Sequence, residues 1–504
     1  MIEVTVFTDE KQHKVSFSEP VSLSQALAEA GLLLDKPCGG NGTCGKCRVR
    51  AEGCLSLVSE TEAKTLGENA LKEGFRLACL TMAEGPAQIY FIMQNTVIQG
   101  VTQGHVADYR REPLTGDKEC RGLAVDIGTT TIAAYLYSLP EGRLERAVCV
   151  KNNQAAYGAD VISRIEAAGE GKLSELTKTI REQLRELVQE QLKASPEVCV
   201  ITGNTTMLHL LTGLDPSGIA VSPFTPQSLF GEWHGNTYLP KCMSAYVGAD
   251  ITTAVLASGL TSYHTAFLVD VGTNGEMALW HDGKLWGCST AAGPAFEGAG
   301  ISMGMTAREG AVSHVWLEEA AEEKGGKRLC FETIKNAPAC GICGTGLIDL
   351  VACLLELGLI DETGYLEEDY VLPGTEVFLS LQDVRQVQLA KSAICSGIET
   401  LLVQAGISGN ELEAFCIAGG FGSMIDVNTA AAIGLIPKEV LPAARAVGNA
   451  AGMGAGMLLQ SRKVLEESER LAEEAHILEL SANPFFMEKY IENMMFQMEE
   501  PERL

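Results

Sequence analysis

Residues 125–130 read Val-Asp-Ile-Gly-Thr-Thr, and residues 269–274 read Val-Asp-Val-Gly-Thr-Asn. Each hexamer continues a short apolar run, Leu123–Val125 in the first case and Ala266–Val269 in the second. An apolar strand that runs into Asp-x-Gly-Thr predicts a tight turn, in which glycine permits close approach and threonine hydroxyls and backbone amides can bind phosphate oxygens. Because the turn occurs twice, the sequence predicts a duplicated, two-lobed α/β fold with phosphate turns facing each other across a cleft.

A third glycine turn, Gly419-Gly-Phe-Gly422, follows the apolar strand Ala414–Ile417. Asp126 and Asp270 stand at the ends of their strands and could hold Mg²⁺ through water, because this ion prefers oxygen ligands and keeps much of its hydration shell. The sequence has no G-x4-G-K-[ST] motif, which excludes a P-loop nucleotide hydrolase. It also has no G-x-G-x-x-G after a strand, which argues against a dinucleotide-binding fold.

Near the N-terminus lies a glycine-rich cysteine loop, Cys38-Gly-Gly-Asn-Gly-Thr-Cys44-Gly-Lys-Cys47, and Cys79 follows later. Four thiolates with this C-x5-C-x2-C spacing and one distant member are typical of a two-iron, two-sulfur cluster. The glycines leave backbone N–H groups able to donate to the sulfurs. A structural zinc site is the alternative, but zinc ligands usually come as two C-x2–4-C pairs and this region has one.

The remaining sequence patterns divide the whole chain into four predicted segments, which begin with a domain around the cysteine loop. Alternating apolar residues predict a hairpin over residues 2–17, Ser22 predicts the start of a capped helix, and Arg48–Ala51 predicts a short strand. Residues 93–119 have mixed charge and no clear period, which predicts a linker. The predicted organisation is a cluster domain over 1–92, a linker over 93–119, a first lobe over 120–262, and a second lobe with C-terminal helices over 263–504.

Composition limits the function classes. The 504 residues are 46% hydrophobic and 20% charged, which is typical of globular domains. A net charge of −27 gives the chain no electrostatic reason to bind nucleic acid or an anionic membrane. The N-terminal residues predict a strand rather than a targeting signal, so a cytoplasmic location is expected. There the sixteen cysteines are kept reduced, which favours metal binding over disulfides for clustered ones.

Both sets of motifs resemble known families. Residues 1–92 are similar to β-grasp ferredoxins, an α+β fold, with adrenodoxin-like cysteine spacing. The chain from Gly122 onward resembles the acetate and sugar kinase–Hsp70–actin superfamily of ATPases. The two α/β lobes of that superfamily are ribonuclease H-like. Their combination resembles the reductive activators of corrinoid proteins. Five stretches narrow this resemblance: Asn152–Gln154, Tyr157–Ile165, Gly203–Met207, Ala292–Ile301 and Gly341–Asp349. The short connection over 93–119 departs from larger members, which carry a separate linker domain.

The resemblance implies ATP-dependent reductive activation, in which electrons pass through the cluster to an inactive Co(II) corrinoid and restore Co(I). The implied enzyme is an iron–sulfur oxidoreductase with ATPase activity, and its implied cofactors are a 2Fe-2S cluster, ATP and Mg²⁺. The expected partners are a corrinoid protein of a methyltransferase system and an upstream low-potential electron donor, without nucleic acid or membrane. The chain could also form a homodimer.

The resemblance also implies the site residues. The cluster ligands are Cys38, Cys44, Cys47 and Cys79. The first phosphate motif is Asp126, Gly128, Thr129 and Thr130; the second is Asp270, Gly272, Thr273 and Asn274; Asp126 and Asp270 are the catalytic candidates. The adenosine-side turn is Gly419, Gly420 and Gly422, and further cleft candidates are Asp160, Arg164, Asn204 and Glu297.

Three alternative functions differ in class. An activator of radical dehydratases would resemble ATPases that carry a four-iron cluster at a subunit interface, without an N-terminal ferredoxin. An actin- or Hsp70-like scaffold could use the ferredoxin as a redox sensor. A small-molecule kinase would leave the fused cluster without a role. The lone pair Cys340-x2-Cys343 cannot complete a metal site by itself.

Overall fold

The computed structural model describes most of the chain: residues 1–8, 12–30, 32, 34, 40–42, 45, 47–91, 102, 104–115, 120–320, 326–420 and 424–497. Internal contacts divide it into two units. The N-terminal unit comprises residues 1–96 and 152–183, and the C-terminal unit comprises residues 97–151 and 184–504. No helix in the described part of the chain combines the length and the apolar character needed to cross a membrane.

The N-terminal unit contains one mixed sheet with two helices on its buried face. Its elements are β1 (Ile2–Phe7), β2 (Gln12–Phe17), β3 (Val21–Ser22), α1 (Leu23–Glu29), β4 (Arg48–Leu55), α2 (Glu60–Lys72), β5 (Phe75–Leu77) and β6 (Met82–Tyr90). The strand order is β2-β1-β6-β4-β5, with β3 beside β6. Strands β1 and β6 are parallel, and the other pairs are antiparallel. This arrangement is the predicted β-grasp fold.

Local sequence explains these elements. Val4 and Val6 alternate with more exposed residues and pack in the same core as Leu23 and Leu27 of α1. Helix α1 begins where predicted, because the Ser22 hydroxyl accepts a hydrogen bond from the N–H of Gln25 at 3.2 Å. Residues 152–183 contribute α3 (Val161–Ala167) and most of α4 (Leu173–Glu186) to this unit.

The C-terminal unit contains two six-stranded sheets. The first sheet and its helices comprise β7 (Arg121–Ile127), β8 (Thr131–Ser138), β9 (Arg143–Lys151), β10 (Val198–Gly203), α5 (Thr205–Thr212), α6 (Ser217–Ala220), β11 (Glu232–His234), β12 (Thr237–Leu239) and α7 (Ala249–Ser258). Its strand order is β11-β12-β10-β7-β8-β9. Strands β7, β8 and β9 form an antiparallel meander, and β10 lies parallel to β7.

The second sheet has the same plan. The chain continues through β13 (Thr265–Val271), β14 (Gly275–His281), β15 (Lys284–Thr290), β16 (Ala311–Glu319), β17 (Lys327–Thr333), β18 (Gly341–Ile342), α8 (Gly344–Glu356), β19 (Tyr370–Val371), β20 (Phe378–Leu379), α9 (Leu381–Ala405), β21 (Ala414–Ala418), α10 (Val427–Ala432), β22 (Ala444–Gly448), α11 (Ala450–Gln460), α12 (Arg462–Glu474), β23 (His476–Ile477) and α13 (Pro484–Glu492). The sheet order is β22-β21-β13-β14-β15-β23, with an antiparallel β13-β14-β15 meander and β21 parallel to β13. The matching connectivity confirms the predicted duplicated, two-lobed fold.

Part of the predicted linker is bound to the C-terminal unit. Residues 104–115 form no helix or strand of their own, but the N–H of His105 donates to the carbonyl of Val447 at 2.9 Å. The N–H of Ala107 donates to the carbonyl of Ala257 at 2.8 Å. A segment held by distant backbone has no side-chain period of its own, which explains why the sequence indicates no element there. The boundaries of the linker stay a prediction.

Candidate functional site

The cysteine loop is described at one end. Cys47 and Cys79 bring their sulfur atoms to 3.2 Å from each other, and Cys47 is buried. The N–H of Ala78 donates to the carbonyl of Cys47 at 3.0 Å, which joins the two cysteine segments. Sulfurs this close can bind the same iron, so the described pair fits an iron–sulfur cluster. Cys38 and Cys44 lie outside the described residues.

A buried ion pair supports the Cys79 segment. Glu62 of α2 accepts hydrogen bonds from Arg76 Nε at 2.9 Å, from the N–H of Leu77 at 2.8 Å and from the hydroxyl of Thr81 at 2.9 Å. Burial alone would raise the pKa of Glu62, but these hydrogen bonds outweigh it and lower the pKa. The donors stand on both sides of Cys79, so Glu62 fixes the backbone that presents this ligand candidate.

The two predicted phosphate turns lie together in the C-terminal unit. Gly128–Thr130 joins β7 to β8, and Gly272–Asn274 joins β13 to β14. Glu297 Oε2 accepts hydrogen bonds from the hydroxyls of Thr130, at 2.8 Å, and Thr273, at 2.5 Å. One carboxylate therefore bridges turns of the two lobes, which brings the two motifs together. That they bind phosphate across a cleft stays a prediction.

The strand-end aspartates are half-buried, and their surroundings disfavour a negative charge. Burial raises the pKa of Asp126 to about 6, although a hydrogen bond from Asn449 Nδ2, at 3.0 Å, lowers it. Burial, with repulsion from Asp126 and Glu297, raises the pKa of Asp270 to about 7. Negative charge is thus unfavourable in this cleft until a cation arrives.

Two further acidic residues were missed by the sequence reasoning. Asp250 lies in the first turn of α7, and Glu276 lies opposite Asp270 in the β13–β14 register. Burial, followed by repulsion from neighbouring carboxylates, raises the pKa of both. The short turn after Asp270 fixes Glu276 beside it, so the sequence could have indicated Glu276 as a site residue. Asp250 and Asn449 come from distant segments and left no comparable signal.

The cleft fits a hydrated cation better than a directly ligated one. Within the described ranges, no three His, Cys, Asp or Glu side chains converge closely enough to bind a metal ion directly. Mg²⁺ usually keeps several waters and takes one or two carboxylates plus phosphate oxygens. Buried carboxylates with raised pKa values, beside two glycine–threonine turns, suit that mode of binding.

The adenosine-side turn is partly described. Gly419 has φ of +118°, and a Cβ there would lie 2.4 Å from the carbonyl oxygen of Val271, so only glycine fits behind the second phosphate turn. Gly420 follows it, and Gly422 lies outside the described residues. Asn204 caps α5 and donates from Nδ2 to the Thr129 hydroxyl at 3.3 Å. That contact brings Asn204 to the first phosphate turn.

Asp160 and Arg164 belong to the N-terminal unit. The Asp160 carboxylate accepts from the N–H of Ser163 at 2.8 Å and caps α3, while the fully buried Arg164 donates from Nε to the carbonyl of Gly158 at 2.9 Å. Their placement in a nucleotide cleft stays a prediction.

The lone cysteine pair has separate surroundings. Cys340 is exposed, with its sulfur 3.8 Å from the sulfur of Met305, whereas Cys343 is buried near the hydroxyl of Thr345.

Known families match the whole succession of domains. A model of the 2Fe-2S iron–sulfur cluster binding domain matches residues 6–84, one of the RACo middle region matches residues 121–263, and one of the C-terminal domain of RACo, the ASKHA domain, matches residues 264–504.

Individual relatives extend this similarity. The corrinoid activation enzyme RamQ of Eubacterium limosum is 34% identical over 430 residues, 75% of this chain and 71% of that protein. The [Co(II) methylated amine-specific corrinoid protein] reductase of Methanosarcina barkeri is 28% identical over 358 residues, 63% of this chain and 66% of that protein. The solved structure of a reductive activator for a corrinoid, iron–sulfur protein has a TM-score of 0.70 and 28% identity, covering 98% of each chain.

Proposed function

Since this chain belongs to the family of reductive activators of corrinoid proteins, we propose that it returns a Co(II) corrinoid protein to Co(I) by ATP-dependent electron transfer. One observation carries the proposal. A single chain joins a β-grasp sheet with converging cysteines to duplicated lobes whose phosphate turns meet at Glu297. Neither half alone would need the other for simple electron transfer or simple phosphoryl transfer.

The N-terminal unit supplies the redox centre. Cys38, Cys44, Cys47 and Cys79 would hold the 2Fe-2S cluster, which carries one electron at a time when bound. Cys47 is buried and Cys79 is half-buried, which limits water around that end of the cluster site. The Glu62 hydrogen bonds keep the Cys79 backbone in place while the charge of the cluster changes.

The C-terminal unit supplies the nucleotide site. Gly128, Thr129 and Thr130, with Gly272, Thr273 and Asn274, would donate backbone N–H groups, hydroxyls and an amide to the phosphates. Asp126 and Asp270 would hold Mg²⁺ through water, and the glycines at 419, 420 and 422 would leave room for the adenosine. When bound, Mg²⁺ would neutralise phosphate charge and favour the ionised state of these half-buried carboxylates.

The Glu297 bridge makes the cleft responsive to nucleotide. Its carboxylate uses the hydroxyls of Thr130 and Thr273, which are the groups that a phosphate would otherwise bind. An incoming phosphate therefore competes with Glu297 for these two hydroxyls. When phosphate binds, the two turns lose their shared contact with Glu297 and contact the phosphate instead. Changes of this kind at phosphate loops are a common source of movement between lobes.

The energies allow a division of labour between the two halves. Moving one electron against ~200 mV costs under ~5 kcal/mol. Binding the Co(II) protein in a destabilised ligation state could supply this, because differential binding of that size shifts a two-state equilibrium by ~10⁴-fold. ATP would then serve mainly to release the product. A nonhydrolysable ATP analogue should consequently allow one round of reduction and block repeated rounds.

Several finer points belong to the same proposal. The corrinoid partner would be part of a methyltransferase system, the electrons would come from a low-potential donor, and the reaction would take place in the cytoplasm. The domain boundaries would be 1–92, 93–119, 120–262 and 263–504. Assembly as a homodimer can be checked by analytical ultracentrifugation.

An anaerobic assay tests the proposal. The protein, a chemical reductant and a Co(II) corrinoid protein are mixed with or without MgATP, and the Co(I) absorption band is followed. Repeated turnover should require MgATP and be lost in Cys79→Ser and Asp270→Asn. Cys54→Ser and Asp282→Asn make the same changes at exposed positions and should retain it. ATP-independent turnover, or no Co(I) with any corrinoid protein despite an intact cluster, contradicts the proposal.

A further inference from the structure

The solvent side of the N-terminal sheet carries a row of aromatic and cationic side chains. Arg50 of β4 lies opposite Phe75 of β5 on one side and opposite Tyr90 of β6 on the other. Tyr90 in turn lies opposite Phe7 of β1. Residues directly opposite one another in neighbouring strands project to the same face, so the four side chains cross the sheet in one line.

Contacts within the row keep its members in fixed positions. The rings of Phe7 and Tyr90 stack with centroids 5.2 Å apart and planes at 12°. Arg48 Cζ lies 3.8 Å from the centroid of the Phe75 ring, and Arg50 Cζ lies 5.9 Å from that of Tyr90. A guanidinium held against an aromatic ring still presents its N–H groups to solvent. The row, with Arg48, is therefore an ordered surface, and we name it the Arg–Tyr face.

The Arg–Tyr face is both exposed and positively charged. Arg48 and Arg50 are exposed, Tyr90 is 38% exposed, and neither guanidinium has a carboxylate in ion-pair range among the residues that the structure describes. Glu52 also reaches the row, where its carboxylate accepts a hydrogen bond from the Tyr90 hydroxyl at 2.7 Å. Two exposed arginines with no ion-pair partner among the described residues stand out on a chain with a net charge of −27.

The face also lies beside the cluster site. Arg48 directly follows Cys47, one of the four predicted ligands, and the Cys47 segment is bonded to the Cys79 segment through Ala78. A protein seated on Arg48 and Phe75 would thus be close to one end of the redox centre. Arginine and tyrosine are also the residues that most often dominate binding in protein interfaces.

We propose that the Arg–Tyr face is the docking site for the electron donor, and that this donor is an acidic one-electron carrier protein. The inference rests on the proposed function, because it assigns the source of the electrons. The step moves one electron from the reduced donor to the oxidised 2Fe-2S cluster, with no bond broken and no proton transferred. Charge complementarity selects the donor: an acidic surface pairs with Arg48 and Arg50, whereas a basic one is repelled by them.

The overall charge makes the proposal sharply testable. Two acidic proteins repel each other at long range, so added salt would speed their encounter if the whole-molecule field decided the rate. Local attraction at the Arg–Tyr face predicts the opposite dependence. The sign of the salt effect therefore separates a specific cationic docking site from a non-specific collision.

The experiment uses the full-length, cluster-loaded protein and a reduced, acidic bacterial [4Fe–4S] ferredoxin. Stopped-flow absorbance gives the rate of cluster reduction, and calorimetry with both proteins oxidised gives the binding affinity. Both should fall as ionic strength rises. Arg48→Glu with Arg50→Glu should lower the rate and the affinity at least tenfold, and the neutral pair Arg48→Gln with Arg50→Gln should have an intermediate effect.

A matched control changes charge by the same amount elsewhere. Lys64→Glu with Lys72→Glu alters exposed lysines of α2 and should change either quantity less than threefold. Reduction by dithionite and the visible spectrum of the cluster should be unchanged in all variants, which excludes misfolding. A rate that rises with salt, or equal losses in the two charge-reversal pairs, overturns the proposal. Normal cluster reduction without Co(I) formation would instead overturn the proposed function and leave the docking site intact.

Discussion

Buried carboxylates occur in both units, but their surroundings are opposite. Glu62 in the N-terminal unit is 1% exposed and receives hydrogen bonds from Arg76, Leu77 and Thr81, so its pKa is lowered despite its burial. In the C-terminal unit, burial raises the pKa of Asp126 to about 6, and burial together with repulsion from Asp126 and Glu297 raises that of Asp270 to about 7.

The contrast separates a structural acid from a binding site. A buried charge is tolerated when partners in the fold already compensate it, and Glu62 has such partners. The cleft carboxylates have too few, so the fold keeps them in a state that a cation would relieve. Strong perturbation of several acids in one cleft is a mark of functional sites. The cleft acids are therefore the expected ligand-binding groups, whereas Glu62 already has its partners within the fold.

The largest effect is expected from breaking the complete network. Glu62→Gln removes the charge that compensates buried Arg76, and loss of one partner of a buried pair costs about 3–5 kcal/mol. Thermal unfolding followed by the visible circular dichroism of the cluster should show this loss in the N-terminal unit. Because the pKa of Glu62 is lowered, its contribution to stability is present above pH 4.5 and declines as pH falls further.

Glu52→Gln makes the same change at an exposed position of the same unit and should cost under about 1 kcal/mol. If Glu62→Gln is equally mild, the interpretation of Glu62 as a compensated structural acid is wrong.

Replacing a carboxylate by its amide, which should destabilise the protein at Glu62, should stabilise it in the cleft. Asp270→Asn is expected to lower the ATPase kcat about 10²–10³-fold, the range for loss of one charge-stabilising group. The nucleotide-free protein should nevertheless become more stable, by up to roughly 4 kcal/mol at pH 8, because a buried charge with a raised pKa is removed. Differential scanning fluorimetry of both proteins across pH measures this.

The sign follows from linkage. A carboxyl with a raised pKa binds its proton more tightly in the folded state, so its contribution to stability declines as pH rises from about 4 through 7. The gain from Asp270→Asn should thus be small at pH 4 and largest at pH 8. A gain that does not depend on pH would show that charge is not the cause.

A smaller effect is expected at Asn449, whose amide donates a hydrogen bond to Asp126. Asn449→Ser keeps the side-chain cap of α11 but removes the Nδ2 donor to Asp126. Loss of a hydrogen bond to a charged group is worth about 1.5–3 kcal/mol, so MgATP affinity should fall roughly 10–100-fold. Asn483→Ser, at the N-cap of α13, is the matched control and should leave that affinity unchanged.

The mildest test changes only the proton concentration. MgATP should displace protons from the cleft carboxyls, so its affinity should increase with pH from 5 to 7 by at most about tenfold per unit for each proton released. Titration calorimetry in two buffers of different ionisation enthalpy counts the protons. Glu62, whose charge is already compensated, should release no proton when MgATP binds. Glu62→Gln should therefore leave the number of protons released unchanged in the protein that remains folded.

The sequence indicates those features that depend on neighbouring residues. The cysteine spacing, the two Asp-x-Gly-Thr turns and the cap at Ser22 each lie within a few positions of one another, so their chemistry can be recognised locally. The repeat of the turn predicts the duplicated lobes, because one supersecondary unit used twice keeps the same turn. The hairpin register likewise places Glu276 beside Asp270.

Contacts that depend on long-range packing could not be predicted from the sequence. Asn449 reaches Asp126 from the start of α11, and Asp250 reaches the cleft from α7, which follows the first sheet. Residues 104–115 bond to distant backbone, so nothing in their own side chains indicates order. Asp160 is the opposite case. Its spacing to Ser163 is typical of a helix cap, so its role at the start of α3 could have been predicted from the sequence as an alternative to a place in the cleft.

A single-turnover reaction tests the central claim most directly. The cluster is reduced, excess reductant is removed, and the protein is mixed anaerobically with a Co(II) corrinoid protein while cluster and cobalt absorbance are recorded together. If electrons pass from the cluster to cobalt, one cluster is oxidised for each Co(I) formed, with matching rates, and further rounds require a reductant and MgATP. Co(I) that forms while the cluster stays reduced, or a cluster that is oxidised without Co(I), would contradict it.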